Sequence, residues 1–275
     1  MYTQMEKAER FRDLHQRKQI LLLPNPWDAG SAKLLAALGF EALATTSAGL
    51  AFSLGKRDGE GAVSREEALA NASSICKVAD LPVSGDLENG YGPQPSDCAH
   101  TVIAAAEAGL VGCSIEDASG NPSHPIYSFE QSVKRVEAAV QSARSLHFPF
   151  TLTARAENFL HGINDLEDTI RRLQAYAEAG ADVVYAPALK TRADIEAVVK
   201  AVSPKPVNVL GGMANFPFSI SELGEMGVKR VSLGSAFSRV AYSAFLRGAE
   251  EWIRTGHVQF ISGSISLDEM NERMK

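Results

Sequence analysis

Short apolar runs alternate along the chain with longer stretches in which apolar positions recur every three or four residues. The short runs predict buried strands, and the longer stretches predict helices with one face turned to a core. Residues 7–18 read as an opening amphipathic helix with Phe11 and Leu14 on one face. Residues 20–23 are the first strand, ended by Pro24. Asp28 then caps a helix that Gly39 stops. Further strands are predicted at residues 42–47, 83–86, 111–115, 150–154, 182–185, 207–210 and 230–233. Helices follow them: one capped by Ser64 with an acidic first turn, then 96–108, 129–146, 166–179, 192–202, 220–226 and 237–252. Three phrases, Glu107-Ala-Gly109, Glu178-Ala-Gly180 and Glu225-Met-Gly227, each close a helix just before a strand.

Eight strand–helix couplets with short links predict an α/β fold, a (β/α)8 TIM barrel. No linker-like or low-complexity stretch divides them, so residues 1–275 read as one domain with a short N-terminal helix and a C-terminal helical extension. A doubly wound sheet is the competing arrangement, but it seldom needs eight such regular units. Strand faces favour the barrel. Val111, Cys113 and Ile115 alternate with Gly112, Ser114 and Glu116, and Leu152 and Ala154 alternate with Thr151, Thr153 and Arg155. The apolar set would pack on the helices and the polar set would line the interior, ending in a charge at the mouth, where barrel sites lie.

Composition narrows the class. Hydrophobic content of 45% and charge of 22% suit a soluble globular chain. A net charge of −6, a pI near 5.6 and the lack of a dense basic run argue against nucleic acid. No segment has signal-peptide character, and none approaches the roughly 18 apolar residues of a membrane span, so a cytoplasmic location is expected. Cys76, Cys98 and Cys113 lie far apart and in no metal-ligand spacing, and read as reduced, mostly buried thiols.

The most informative stretch is Ser84-Gly-Asp-Leu-Glu-Asn-Gly-Tyr-Gly92, where a strand gives way to a loop. Asp86 and Glu88, two apart on extended chain, can face one small volume. Two anions held together call for a compensating cation, and Mg²⁺ commonly uses one or two carboxylates plus water and substrate oxygens. A solvated loop is the alternative. Strand ends alone supply Ser47, Asp86, Glu116, Arg155, Pro187 and Asn208, with Asp58, Glu60 and Glu88 on the following loops. Several carboxylates and one arginine round a mouth suit a metal-assisted site for a small anion better than an unbound acidic rim.

Six segments in order at strand ends now carry a resemblance. They are Leu-Pro-Asn-Pro-Trp-Asp-Ala (23–29), Thr-Thr-Ser-Ala-Gly (45–49), Gly-Lys-Arg-Asp-Gly-Glu (55–60), Asp-Leu-Glu-Asn-Gly-Tyr-Gly (86–92), Ser-Ile-Glu-Asp (114–117) and Thr-Ala-Arg-Ala-Glu (153–157). Over nearly its full length the chain resembles the isocitrate lyase/phosphoenolpyruvate mutase superfamily, and within it small members similar to methylisocitrate lyases and phosphonopyruvate-processing enzymes. The resemblance implies Asp86 as a direct Mg²⁺ ligand, with Mn²⁺ a possible substitute, and Asp58, Glu88 and Glu116 holding the metal's waters. It implies that Ser47 and the backbone N–H groups of Ala48 and Gly49 meet the anionic oxygens of a 2-oxo acid, that Arg155 stabilises a developing enolate, and that Asn208 is a polar substrate-side position. It also implies a homodimer or homotetramer in which the eighth helix is exchanged between subunits; ordinary packing of that helix on its own barrel is the alternative.

The lid departs from the family. Lyases of this kind carry a Lys-Lys-Cys-Gly-His or Lys-Arg-Cys-Gly-His segment there, and mutases carry a functional Lys and Asn. Here the loop is Ala118-Ser-Gly-Asn-Pro-Ser-His-Pro-Ile-Tyr127, without Cys or Lys. His124 is the remaining proton donor on it, or simply an exposed histidine. After the sixth strand, where many lyases place a glutamate, stands Tyr185-Ala-Pro187. The expected function is Mg²⁺-dependent C–C cleavage of a small 2-oxo or 2-hydroxy carboxylate through an enolate, with Arg155, Glu116, Asp58 and His124 as catalytic groups. P–C bond chemistry on a phosphonate such as phosphonopyruvate is one alternative, and a non-catalytic 2-oxo acid-binding barrel is another.

Overall fold

A computed structural model describes residues 2–275. Helix α1 (Gln4–Gln16) is closed at its start by a Thr3–Glu6 capping box and buries Ala8, Phe11, Leu14 and His15. Eight strands follow: β1 (Leu21–Leu23), β2 (Leu43–Ala44), β3 (Val83–Asp86), β4 (Gly112–Glu116), β5 (Thr151–Arg155), β6 (Val183–Tyr185), β7 (Val207–Leu210) and β8 (Arg230–Ser232). Between them run α2 (Ala29–Ala37), α3 (Ser47–Ser53), α4 (Arg65–Val78), α5 (Pro95–Glu107), α6 (Phe129–Ser145), α7 (Leu166–Glu178), α8 (Arg192–Val202) and α9 (Ile220–Glu225). After β8 come α10 (Ala236–Thr255), a 3-10 turn (Gln259–Gly263) and α11 (Leu267–Arg273).

All pairings are parallel, in the order β1-β8-β7-β6-β5-β4-β3-β2. Just beyond β1, Ala44 N–H donates to Pro24 O at 3.0 Å. The Asn25 side chain adds a bond to Thr45 O (3.0 Å) and accepts from Leu233 N (2.8 Å) and Gly234 N (3.0 Å). These contacts bring β1, β2 and β8 together into a nearly closed (β/α)8 barrel, as the couplets predict.

The alternation in β4 and β5 holds. Cys113, Ile115, Leu152 and Ala154 are buried in the apolar core, while Ser114 and Arg155 line the interior cavity. Burial pushes the thiol of Cys98 up to about 11 and that of Cys76 up to about 12, and all three cysteines are free. At the opposite end α1 covers the strand starts. A Cβ on Gly112 would stand 2.6 Å from Thr151 O and 3.1 Å from Phe11 Cε1, so only glycine lets the helix seat there.

One element differs from expectation. Residues 42–47 read as a strand, but β2 ends at Ala44, and Thr46 caps α3 by accepting from Gly49 N–H at 3.2 Å. Ser47 therefore opens a helix instead of closing a strand. Among the described residues no helix is long and apolar enough to cross a membrane.

Candidate active site

Asp86, the last residue of β3, organises the barrel mouth. Its backbone N–H donates to Thr45 Oγ1 at 2.8 Å, fixing the strand end. Oδ2 accepts from Ser47 N (3.0 Å) and Ser47 Oγ (2.9 Å); Oδ1 accepts from Ser114 Oγ (3.3 Å) and Arg155 Nη1 (2.9 Å). Arg155 in turn reaches Glu116 Oε2 through Nη2 (3.0 Å) and Glu157 Oε1 through Nε (2.8 Å), with the Tyr185 ring 5.1 Å from its guanidinium carbon. Its planar fork is thus held on three sides. An inner cavity of about 210 Å³ opens here, lined by Ser47, Ala48, Asp58, Asp86, Arg155 and Asn208 among others. It adjoins an outer cavity of about 580 Å³ that carries Glu88, Glu116 and Glu157 beneath the lid residues Ser119 and Gly120.

Five carboxyls surround one guanidinium, and their charge states show the strain. Burial, then the charges of Asp86 and Asp58, push Glu88 up to about 7. Burial and Glu157, Asp86 and Glu88 together hold Glu116 well above the usual carboxylate range, against the pull of Arg155. Asp58 belongs to an exposed loop but lines both cavities; shielding of its carboxyl and the nearness of Asp86 raise it too. Burial would lower Arg155, but Glu116, Glu157 and Asp86 outweigh it and hold the cation firmly charged. Such a donor set fits a hard divalent cation, whose charge would let these carboxyls ionise together. Among the described residues no three carboxylate, imidazole or thiol groups cluster closely enough to enclose an ion. The set therefore suits an ion held by one or two carboxylates with water completing the shell, the habit of Mg²⁺.

With this geometry in place, comparison with known proteins is direct. The profile of the phosphoenolpyruvate phosphomutase family matches residues 11–253. The chain belongs to that family, within the isocitrate lyase/phosphoenolpyruvate mutase superfamily. It is similar to a Burkholderia cenocepacia J2315 crystal structure described as a lyase/mutase, with 51% identity and a TM-score of 0.95 over 98% of this chain and 95% of that one. A structure of oxaloacetate acetylhydrolase with its product oxalate superposes with a TM-score of 0.88 at 26% identity, over 98% and 94%. The 2-methylisocitrate lyase of Bacillus subtilis strain 168 is 28% identical over 242 residues, 83% of this chain and 76% of that one.

Against that family frame the expected residues fall into two groups. Asp86, Glu88, Glu116, Arg155, Asp58, Ser47 and Ala48 are brought together around the two cavities. Glu88 arrives by a different route from the one expected: its backbone turns left-handed (φ 46°), so Asp86 and Glu88 converge across a turn and not along extended chain. The other group is committed elsewhere or set apart from the cavity, although Asn208 forms part of the inner wall. Gly49 N–H is taken by Thr46 Oγ1, leaving Ala48 as the amide at the wall. Asn208 is buried with both polar ends used, Nδ2 donating to Ser232 Oγ (3.0 Å) and Oδ1 accepting from Arg230 Nε (2.8 Å). His124 is exposed on a lid that bonds to itself: Ser119 N–H donates to Pro125 O at 2.8 Å, and Ala118 bridges Ile126. It lines neither cavity. Sequence reasoning missed Arg230 and Glu157, while Ser114 lines the inner cavity as its place on the polar face of β4 predicts. Glu157 lay within a quoted motif, two residues past Arg155, and that spacing was the available signal.

Proposed function

We propose that this chain is a divalent-metal-dependent lyase that cleaves a C–C bond in a small 2-oxo or 2-hydroxy carboxylate through an enolate. The observation that carries it is the inner cavity where Ser47, Ala48, Asp86 and Arg155 meet beside a cluster of carboxyls with raised proton affinity. Asp86 would hold Mg²⁺ or Mn²⁺, with Glu88, Glu116 and Asp58 around it. The ion supplies Lewis-acid polarisation of the substrate's oxygens. Arg155, pinned by three carboxylates, offers its charge without reorganising as negative charge develops on the substrate. The Ala48 N–H orients the substrate carboxylate, and Ser47 and Ser114 keep Asp86 turned to the cavity.

Cys98 and Cys113 are buried and Cys76 half-buried, and none lines either cavity, so the proton traffic of the reaction does not run through a cysteine. Hydrolytic or decarboxylative cleavage suits such a site. The similarity to oxaloacetate acetylhydrolase and to 2-methylisocitrate lyase supports a C–C reaction. The matching family profile favours a second reading, P–C bond chemistry on a phosphonate. Phosphate release from phosphonopyruvate would select the second. Saturable binding with no turnover of any 2-oxo acid or phosphonate would leave a binding barrel. We further infer that α10, which leaves large apolar side chains in solvent, packs on a second copy in a homodimer or homotetramer.

A thermal-shift screen of oxalate, 2-oxo acids and phosphonates, each with and without Mg²⁺, tests the site. A ligand at about a hundredfold over its Kd stabilises by roughly 2.7 kcal/mol. Stabilisation by oxalate or a 2-oxo acid only when Mg²⁺ is present, lost in Asp86→Ala, is the expected result. Equal shifts without metal, or in Asp86→Ala, would overturn the metal assignment.

A further inference from the structure

The turn that carries Glu88 keeps a backbone shape that its own residues resist. Glu88 and Tyr91 stand at φ 46° and 59°, left-handed positions that residues with a side chain seldom take, and Gly90 between them is at 81°. Such a shape persists only where the surroundings over-determine it. Part of the hold is local. Gly90 N–H donates to Leu87 O at 2.9 Å, Tyr91 N–H donates to Asn89 Oδ1 at 3.1 Å, and Glu88 O accepts from Glu116 N–H at 2.9 Å. The rest comes from Arg135, in the middle of α6.

Arg135 is 1% exposed, and among the described residues no carboxylate pairs with it. Its fork is aimed instead at the carbonyl oxygens of this one segment. Nη1 donates to Gly92 O (2.9 Å) and Gln94 O (3.3 Å), and Nη2 donates to Asn89 O. A planar fork reaches three carbonyls at once, which an ammonium or a neutral amide does not. On its other side the guanidinium carbon lies 4.3 Å from the centre of the Tyr127 ring, the last residue of the lid. The lid's first residue is tied to the same turn, since Asn89 Nδ2 donates to Ala118 O at 3.1 Å. Both feet of the lid therefore bear on Asn89, one through its side chain and one through the cation that holds its carbonyl.

We propose that Arg135 is a positioning residue for the metal site: clamping Asn89, Gly92 and Gln94 from behind, it keeps the turn left-handed and so presents the Glu88 carboxyl to the water shell of the ion. Arg135 lines neither cavity, so it acts only through the turn. Tyr127 backs the guanidinium, which makes the lid's foot and the Glu88 turn one mechanical piece. This assignment rests on the metal-dependent reading above and adds to it a residue outside the cavities.

The test is a Mn²⁺ titration of the full chain, read without turnover from the paramagnetic resonance signal of the free aqueous ion. Arg135→Met keeps the stem and loses the fork; it should weaken Mn²⁺ binding about 10–100-fold, the usual cost of losing a group that orients a metal ligand. Arg135→Lys keeps the charge but reaches fewer carbonyls, and should recover part of the loss. A merely structural role would lower the urea midpoint and leave the Mn²⁺ affinity of the folded protein unchanged. The Glu88→Gln background separates the two again. There, adding Arg135→Met should weaken Mn²⁺ by less than about threefold, because the group it acts through is already gone. Circular dichroism confirms that each variant folds; if Arg135→Met does not, Arg135→Gln, which keeps a donor for one carbonyl, takes its place. Unchanged affinity in the folded variant, or the full loss repeated on top of Glu88→Gln, overturns the role of Arg135 and leaves the lyase reading standing. A wild type that binds no Mn²⁺ overturns both.

Discussion

His15 shows how burial sets the charge of a single side chain and, through it, the acid tolerance of the molecule. In the unfolded chain its imidazole takes a proton near pH 6.5; in the fold it does so only near 3. Below pH 6.5 the unfolded state therefore binds a proton that the native state refuses, so stability falls with pH across the window from 6.5 to 3. Between pH 7 and 4.5 this one group should remove roughly 2–3 kcal/mol. Urea midpoints of the wild type and His15→Gln at those two pH values should diverge by that amount, the variant losing less. Gly49 gives a second expectation at this scale. A Cβ there would stand 2.6 Å from Thr46 Cγ2 and 3.0 Å from Trp27 Cβ, so Gly49→Ala should cost about 1–3 kcal/mol by overpacking, read from a urea melt. Asp86, Glu116 and Arg155 were legible in the sequence because each ends a strand, where a barrel site must lie. Arg230 was not, because it begins one. A side chain long enough to reach back along the barrel axis escapes a search confined to strand ends.

The element boundaries were legible wherever a cap or a left-handed glycine marks them. Asp28 and Ser64 cap as expected, and Gly109, Gly180 and Gly227 stop their helices with φ of 97°, 106° and 87°. Helix α3 was hidden because residues 42–47 read as one strand, and the Thr46 cap ends that strand early and starts the helix at Ser47. How α7 holds the mouth was equally hidden, since its partners lie far apart in the chain. Arg172 reaches Asp117 Oδ2 (3.0 Å), Asp168 Oδ2 (2.6 Å) and Tyr127 O (3.0 Å), while Tyr176 OH donates to Asp117 Oδ2 (2.7 Å). Asp117 Oδ1 accepts from Glu157 N–H at 2.8 Å, so this helix clamps both the lid's foot and the segment after Arg155. Removing one donor by Tyr176→Phe should cost about 1–3 kcal/mol, and Arg172→Met, which strips the buried carboxylate of its cation, about 3–5 kcal/mol. Equilibrium urea unfolding measures both; an Arg172→Met cost below that of Tyr176→Phe would show that the ion pair is not what holds the clamp.

For the whole molecule, the barrel itself was the most legible feature, because eight repeats of one couplet leave few other ways to bury their faces. The proposed assembly would use α10. Phe245 is 69% exposed, Trp252 59% and Ile253 88%, more apolar surface than a lone helix usually shows to water. Light scattering after size exclusion should find an oligomer, and Phe245→Glu with Ile253→Glu should shift it to a smaller species; an unchanged mass would remove α10 from the interface. The join between β1 and β2 has its own consequence. Other neighbouring strands share registers of two to five residue pairs, whereas here the described contacts are Ala44 N–H to Pro24 O and the amide of Asn25. Such a seam should be the first part of the barrel to part, and its amides the first to trade hydrogen for deuterium. Ser47 and Ala48 stand on one side of it and Gly234 and Ser235 on the other, all on the wall of the inner cavity. A ligand seated there spans the seam like a stitch, so slowed exchange at Ala44, whose amide crosses it, becomes a gauge of occupancy that needs no turnover to read.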